Sequence, residues 1–170
     1  MIRIRPATAS DVPLIRELIQ ELAVYEREPH SVHITEEHLL RDGFAANDGN
    51  NPRCFECLIA EYNGEPAGFA LYFPIYSTWR GPSLYLEDLF VRPEFRRHGL
   101  GKTLLRQVAA IAVERGCARL EWSVLVWNTP AIDFYQSLGA VPLDQWQRMR
   151  VTGEALAKLA GAGKEIEAEA

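Results

Sequence analysis

Apolar residues recur at helical spacing at Leu14, Ile15, Leu18, Ile19 and Leu22, giving one apolar face that runs to Tyr25 and predicts a helix ending near Pro29. Its start is marked by Thr8 and Asp11, which stand three apart as in a capping box. Ahead of it, Ile2 to Pro6 alternates apolar and basic residues as a short strand does. A shorter helix is predicted after Thr35. Glu36 and Glu37 would occupy its first turn, where the helix dipole favours acids, and Gly43 is a natural stop.

The period then changes to that of strands. Residues 55–61 and 67–73 flank Asn63-Gly64, the strongest short signal for a two-residue hairpin. Residues 79–83 read as a loop, and 84–91 form an apolar run long enough for a central strand. Glu87 and Asp88 interrupt that run. One of two adjacent acids in a buried strand must point inward, at a cost of several kcal/mol unless it is paired, a cost tolerated more often for function than for packing.

Residues 102–115 carry a helical stripe of Leu104, Leu105, Val108, Ala109 and Ala112, closed by Gly116. A strand is predicted over 119–126. A helix follows with Pro130 in its first turn, Asn128 or Thr129 as its cap and Gly139 as its stop. A last strand over 147–151 and a small helix complete the reading. The Ala-, Gly- and Glu-rich residues 161–170 are expected to fray, so a single domain is predicted over 1–160.

Composition narrows the classes. The chain has 170 residues, 48% hydrophobic and 24% charged, the balance of one soluble domain that needs no staples. No apolar run is long enough for a membrane helix and no leader pattern opens the sequence, so the expected location is the cytoplasm. Cys54, Cys57 and Cys117 are too few for a zinc ribbon and odd in number, and Cys54-x-x-Cys57 reads as small apolar residues near a strand. Neither a disulfide nor a metal is expected. The net charge of -5 argues against nucleic acid and toward cationic ligands.

The most informative stretch joins the acid-bearing strand to the long helix: Arg92-Pro93-Glu94-Phe95-Arg96-Arg97-His98-Gly99-Leu100-Gly101-Lys102. A strand, a Gly-containing turn and a helix start present backbone N–H groups to an anion. Arg96, Arg97 and Lys102 add positive charge. A Walker A loop would require glycine at position 96, and a dinucleotide fingerprint glycine at position 104; the chain has Arg96 and Leu104. The pattern that remains is Arg-x-x-Gly-x-Gly on Arg96, Gly99 and Gly101.

That pattern resembles the pyrophosphate-binding turn of the GNAT superfamily of N-acetyltransferases. Tyr85-Leu86-Glu87-Asp88-Leu89-Phe90-Val91 before it and Trp127-Asn128-Thr129-Pro130-Ala131-Ile132-Asp133-Phe134-Tyr135 after it are similar to the diamine and thialysine acetyltransferases. So are Ile4-Arg5-Pro6-Ala7-Thr8 and Tyr25-Glu26. The resemblance implies an α/β fold with a mixed, largely antiparallel, splayed sheet flanked by helices. It implies transfer of an acetyl group from acetyl-CoA to the primary amine of a small molecule, and a homodimer. Leu89, Phe90 and Val91 would hold the pantetheine arm as an added strand. Arg96, Arg97, His98, Gly99, Leu100, Gly101 and Lys102 would hold the pyrophosphate, with Asn128, Thr129, Pro130 and Ala131 on the far wall. Tyr25, Glu26, Glu87, Glu121, Trp122 and Ser123 would receive the amine. Glu87 would accept its proton and Tyr135 would protonate the departing thiolate. Two alternatives stay open, a protein or peptide amine as acceptor and an acyl-CoA-binding module without turnover.

Overall fold

Five strands form one sheet in chain order: β1 (Ile2–Pro6), β2 (Glu56–Tyr62), β3 (Glu65–Ser77), β4 (Gly81–Val91) and β5 (Leu120–Trp122). The computed structural model describes residues 1–45 and 52–161, so nearly all of the tail expected to fray lies outside the described residues. β1 to β4 pair antiparallel and β5 joins β4 in parallel, which gives the mixed, largely antiparallel sheet expected. Asn63 and Gly64 both take left-handed backbone, with φ of 54° and 90°. This is the conformation whose twist matches two paired strands, and it fixes the β2–β3 register.

Helix α1 (Val12–Tyr25) is entered through a 3₁₀ turn at Ala9–Asp11. The capping residue Asp11 accepts the Thr8 N–H at 2.8 Å and a forked pair of bonds from Arg5 at 2.7 and 2.8 Å. Arg5 also donates to Glu61 on β2 at 2.7 Å. The guanidinium holds the Asp11 carboxyl far below the ordinary carboxylate range, and the cap becomes a joint between β1, β2 and α1.

One face of the sheet packs against α1 through Val12, Ile15, Leu18, Ile59, Phe69, Leu71 and Phe90. The other is covered by α3 (Leu100–Glu114), whose Leu100, Leu104, Leu105, Val108 and Ala112 are buried. Strand alternation sends Leu58, Ala60, Ala70, Leu84 and Leu86 to that second face.

Four local expectations change. After α2 (Glu36–Leu39) the chain does not stop at Gly43 but continues as a π-helical turn through Phe44. Gly43 serves close approach, since a Cβ there would lie 2.2 Å from the Phe55 ring. The loop expected over 79–83 shrinks to residues 78–80, because buried Ser77 accepts the N–H groups of Trp79 and Arg80 at 3.2 Å each and closes a tight turn. The strand expected over 119–126 pairs only at Leu120–Trp122. Residues 147–151 form no strand; they are exposed and lie along no described strand edge.

Contacts divide the chain into two compact units, Met1–Val126 and Trp127–Ala170. The first holds the sheet and α1 to α3. The second holds α4 (Thr129–Ser137), with Pro130 in its first turn and Gly139 at φ 95° beyond its end, and α5 (Gly153–Leu159). Among the described residues no helix is long and apolar enough to cross a membrane.

Gly68 lies opposite Val91, where a Cβ would fall 2.2 Å from the Phe90 carbonyl oxygen. Gly68→Ala should therefore force β3 and β4 apart and lower stability by about 1–3 kcal/mol, the usual scale of overpacking. Chemical denaturation checks this; an unchanged midpoint would show that the strands absorb the methyl group.

Candidate active site

Between β4 and α3 the chain makes a 3₁₀ turn at Pro93–Phe95 and then a tight reversal. Arg97 and Gly99 both take left-handed backbone, with φ of 66° and 86°. A Cβ at Gly99 would meet open space, so glycine is required there by conformation rather than by room. The result is a concavity of donors. Among the described residues, no backbone N–H from Arg97, His98, Gly99, Leu100, Gly101 or Lys102 reaches a carbonyl, and the first to do so is Thr103, which bonds Gly99 at 3.0 Å. Six unpaired N–H groups at the start of a fifteen-residue helix suit a polyanion.

The side chains of this turn divide into two groups. Arg97 and Lys102 are exposed and have no ion-pair partner among the described residues. Arg96 is exposed as well but lies against the domain: its Nε donates to the Val91 carbonyl at 2.9 Å, and its guanidinium lies 4.8 Å from the centre of the Tyr25 ring and 5.8 Å from that of Phe90. Its backbone N–H is taken by Pro93 at 3.2 Å. His98 stacks on Tyr62 with ring centres 4.5 Å apart. Leu100 is buried and pins the helix start.

Strand β4 leads into this turn, paired on one side and open on the other. It bonds β3 along its length, but its parallel ladder with β5 ends at Leu86 opposite Trp122. From Glu87 to Val91 no described strand covers the outer edge. The β3 ladder also slips here: Leu71 faces Asp88 and Tyr72 faces Leu86, so Glu87 is the extra residue of a bulge.

The bulge settles where the two acids go. Strict alternation would place one on each face, yet Asp88 lies opposite Leu71 of the α1-facing core and Glu87 acts on both Asp88 and Glu26. Burial and then the charges of Glu87 and Glu26 push the Asp88 carboxyl up to about 7. Burial and Glu87 push Glu26 upward as well. Asp88 has no hydrogen-bond or ion-pair partner among the described residues. Three mutually repelling carboxyls thus lie beside an open strand edge. The other expected acceptor residues are distributed around them. Tyr25 lies under Arg96, Glu121 pairs with Arg119 at 3.0 Å, Trp122 closes the β4–β5 ladder, and the Ser123 hydroxyl bonds the Tyr85 hydroxyl at 2.8 Å.

The acetyltransferase (GNAT) family model matches residues 15–140. The chain belongs to the GNAT family. It is 43% identical over 169 residues to a thialysine N-epsilon-acetyltransferase of Sus scrofa, covering 93% of this chain and 96% of that protein. It is 38% identical over 168 residues to a spermidine/spermine N(1)-acetyltransferase-like protein of Homo sapiens, covering 93% of this chain and 24% of that one. The fold matches an aminoglycoside N-acetyltransferase solved with CoA at a TM-score of 0.66 and 22% identity, over 90% of this chain and 94% of that one. This GNAT chain is thus an acetyl-CoA-dependent N-acetyltransferase.

The first unit brings together the cofactor turn, the open edge of Leu89, Phe90 and Val91, and the acids Glu26 and Glu87. Tyr25, Glu121, Trp122 and Ser123 also lie in the first unit, whereas Asn128, Thr129, Pro130, Ala131 and Tyr135 belong to the second. There Asn128 caps α4 through its backbone, accepting N–H bonds from Ala131 and Ile132 at 3.0 Å each, and Thr129 and Pro130 form the first turn. Tyr135 packs its ring against Phe134 at 5.2 Å. Two residues of weight were not among those expected. Asp88 was visible as the second acid, but a bulge is not legible in a run of apolar letters. Arg92 looked like one more base in a basic turn, and only its partners on α1 distinguish it.

Because folded Asp88 keeps a proton that the unfolded chain releases, stability should fall as pH rises from about 4 to about 7. Asp88→Asn should remove that loss, so between pH 5 and pH 8 its Tm should drop less than the parent's. Parallel melting curves would contradict the buried carboxyl.

Proposed function

We propose that this GNAT enzyme acetylates a primary amine of a small cationic molecule, a polyamine, diamine, thialysine or lysine-like amino acid. The observation that carries the reading is the juxtaposition, along β4 and the turn that follows it, of Glu87 and Asp88 facing Glu26 at the end of α1, an uncovered backbone edge and six unpaired N–H groups. An alkylammonium relieves the first, an amide-bearing arm fits the second and a pyrophosphate the third. The names of the two relatives, one acting on thialysine and one like a spermidine/spermine enzyme, agree with such an acceptor.

In this reading Arg97, His98, Gly99, Leu100, Gly101 and Lys102 hold the pyrophosphate with backbone N–H groups and two cationic side chains. Leu89 and Phe90 offer backbone groups to the pantetheine arm; the Val91 carbonyl is already engaged by Arg96. Acetyl-CoA supplies the activated acetyl group. Glu26 and Glu87 hold the ammonium, and Glu87, exposed at the bulge, accepts its proton directly or through water. The neutral amine attacks the thioester carbonyl, the C–S bond breaks, and the Tyr135 phenol gives its proton to the thiolate. The part given to Tyr135 and to Asn128, Thr129, Pro130 and Ala131 rests on the resemblance of their segment to the diamine and thialysine enzymes. A homodimer rests on the same ground. A cytoplasmic location is supported by Cys54, Cys57 and Cys117 standing as free thiols, as suits a reducing compartment.

The direct experiment is a panel of polyamines, thialysine, lysine and peptides incubated with acetyl-CoA, with thiol release followed. Glu87→Gln keeps the side chain's shape and removes its charge, so activity should fall on cationic amines while acetyl-CoA affinity is kept. Equal loss of cofactor affinity would instead mark Glu87 as structural. Tyr135→Phe should lower kcat by about 10²- to 10⁴-fold, the worth of a positioned general acid, with little change in acetyl-CoA binding. A folded Tyr135→Phe variant that works at the parent rate would leave the thiolate to water.

A further inference from the structure

The cofactor turn does not hold its own shape. It contains Arg97 in left-handed backbone, which costs roughly 1–2 kcal/mol in a residue with a side chain, and six N–H groups that are unpaired without a ligand. What braces it is helix α1. At the end of β4, Arg92 Nε bonds both carboxylate oxygens of Glu21 at 3.0 Å, its Nη2 bonds Glu21 and Glu17 at 2.7 Å each, and its Nη1 bonds the Pro66 carbonyl at 3.2 Å. Its backbone N–H is held by Ala67 at 2.9 Å. Four residues further on, Arg96 spreads over Tyr25. Glu17, Glu21 and Tyr25 stand four apart, so they line one stripe of α1. Both arginines are therefore engaged by the domain itself, whereas Arg97 and Lys102 have no ion-pair partner among the described residues and are left to meet the phosphates.

We propose that Arg92 and Arg96 are positioning residues, and that the Glu17–Glu21–Tyr25 stripe of α1 is the mount that sets the anion-binding turn. This rests on the assignment of residues 97–102 to the pyrophosphate. It reverses the role that charge alone would give: Arg96 contributes geometry rather than a phosphate contact, and two acids near an anion site strengthen binding. The mount also reaches the acceptor side, because Tyr25 is followed by Glu26, one of the three carboxyls.

The sign of one mutation separates the mount from simple electrostatics. Glu21→Gln removes a negative charge near a polyanion site, so charge alone predicts tighter CoA binding, whereas a mount predicts weaker binding. CoA is titrated calorimetrically well below each variant's unfolding midpoint, with Tm recorded separately. The expected result is a CoA Kd raised about three- to tenfold in Glu21→Gln and further in the double variant with Glu17→Gln, a loss of about a decade. Arg96→Lys, which keeps the charge and loses the Nε bond and the flat stack, should weaken CoA as Arg96→Gln does. Should Arg92 variants fail to fold, Glu17→Gln, whose carboxylate is 61% exposed, carries the test with a smaller loss in the same direction. CoA affinity unchanged or tighter in folded Glu21→Gln, or kept in Arg96→Lys and lost in Arg96→Gln, overturns the proposal. Arg97→Glu is the control: if it also leaves CoA affinity unchanged, the assignment of the turn itself is wrong, whereas if it weakens CoA and the α1 variants do not, only the mount falls.

Discussion

Strand β4 is held on one side and released on the other, and the site is built on that asymmetry. Its inner edge is tied to β3 as far as Val91, with Gly68 allowing the backbones to press together. Its outer edge loses β5 after Leu86. A strand with an unsatisfied edge inside a folded domain is a hazard, because exposed N–H and C=O groups recruit any passing chain. In the proposed reading the hazard is the recognition element: a co-substrate arm with amides along it completes the ladder where β5 departs.

The charges along this edge follow the same polarity. Where β5 leaves, the bulge gathers Glu87 and Asp88 beside Glu26. Four residues on, the strand passes into Arg92 and the donor-lined turn. In the proposed reading an acceptor amine and a phosphate-bearing donor therefore face opposite potentials at the two ends of one short segment, about 13 Å long at the usual strand rise. A chain with a net charge of -5 can bind an anion firmly only where its backbone N–H groups and a few cations are concentrated. Glu17 and Glu21 are bound to Arg92, so that neither acid faces the turn as an unpaired charge.

Much of this was legible in the letters because it depends on local rules. Asn63-Gly64 specifies a hairpin by backbone conformation, Thr8 and Asp11 specify a helix start by hydrogen bonding, and the α1 and α3 stripes specify which faces are buried. The donor-lined turn was legible for the same reason, since Gly99 must take a positive φ and the helix behind it must leave donors open. Features that depend on partners distant in sequence were not. The length of β5 is set by how far β4 runs alongside it, and the placement of Arg96 against the domain by a tyrosine seventy-one positions earlier.

The two adjacent acids mark where local reading stops. Alternation is a property of an unbroken ladder, so it predicts one inward carboxyl and one outward without saying which, and Glu87 was distinguished only by the family resemblance. The slip between Leu71 and Tyr72 breaks the ladder at that point. With the extra residue inserted, Asp88 joins the α1-facing side while Glu87 remains exposed within electrostatic reach of it and of Glu26. A half-buried carboxyl without a partner costs folding free energy. Burial first, and then the charges of its neighbours, keep it proton-bearing, and in the proposed reading an entering ammonium supplies the missing counter-charge to all three groups. The bulge thus interrupts the β3 ladder at one inserted residue and gathers Glu87 and Asp88 beside Glu26, the group that in the proposed reading receives the amine.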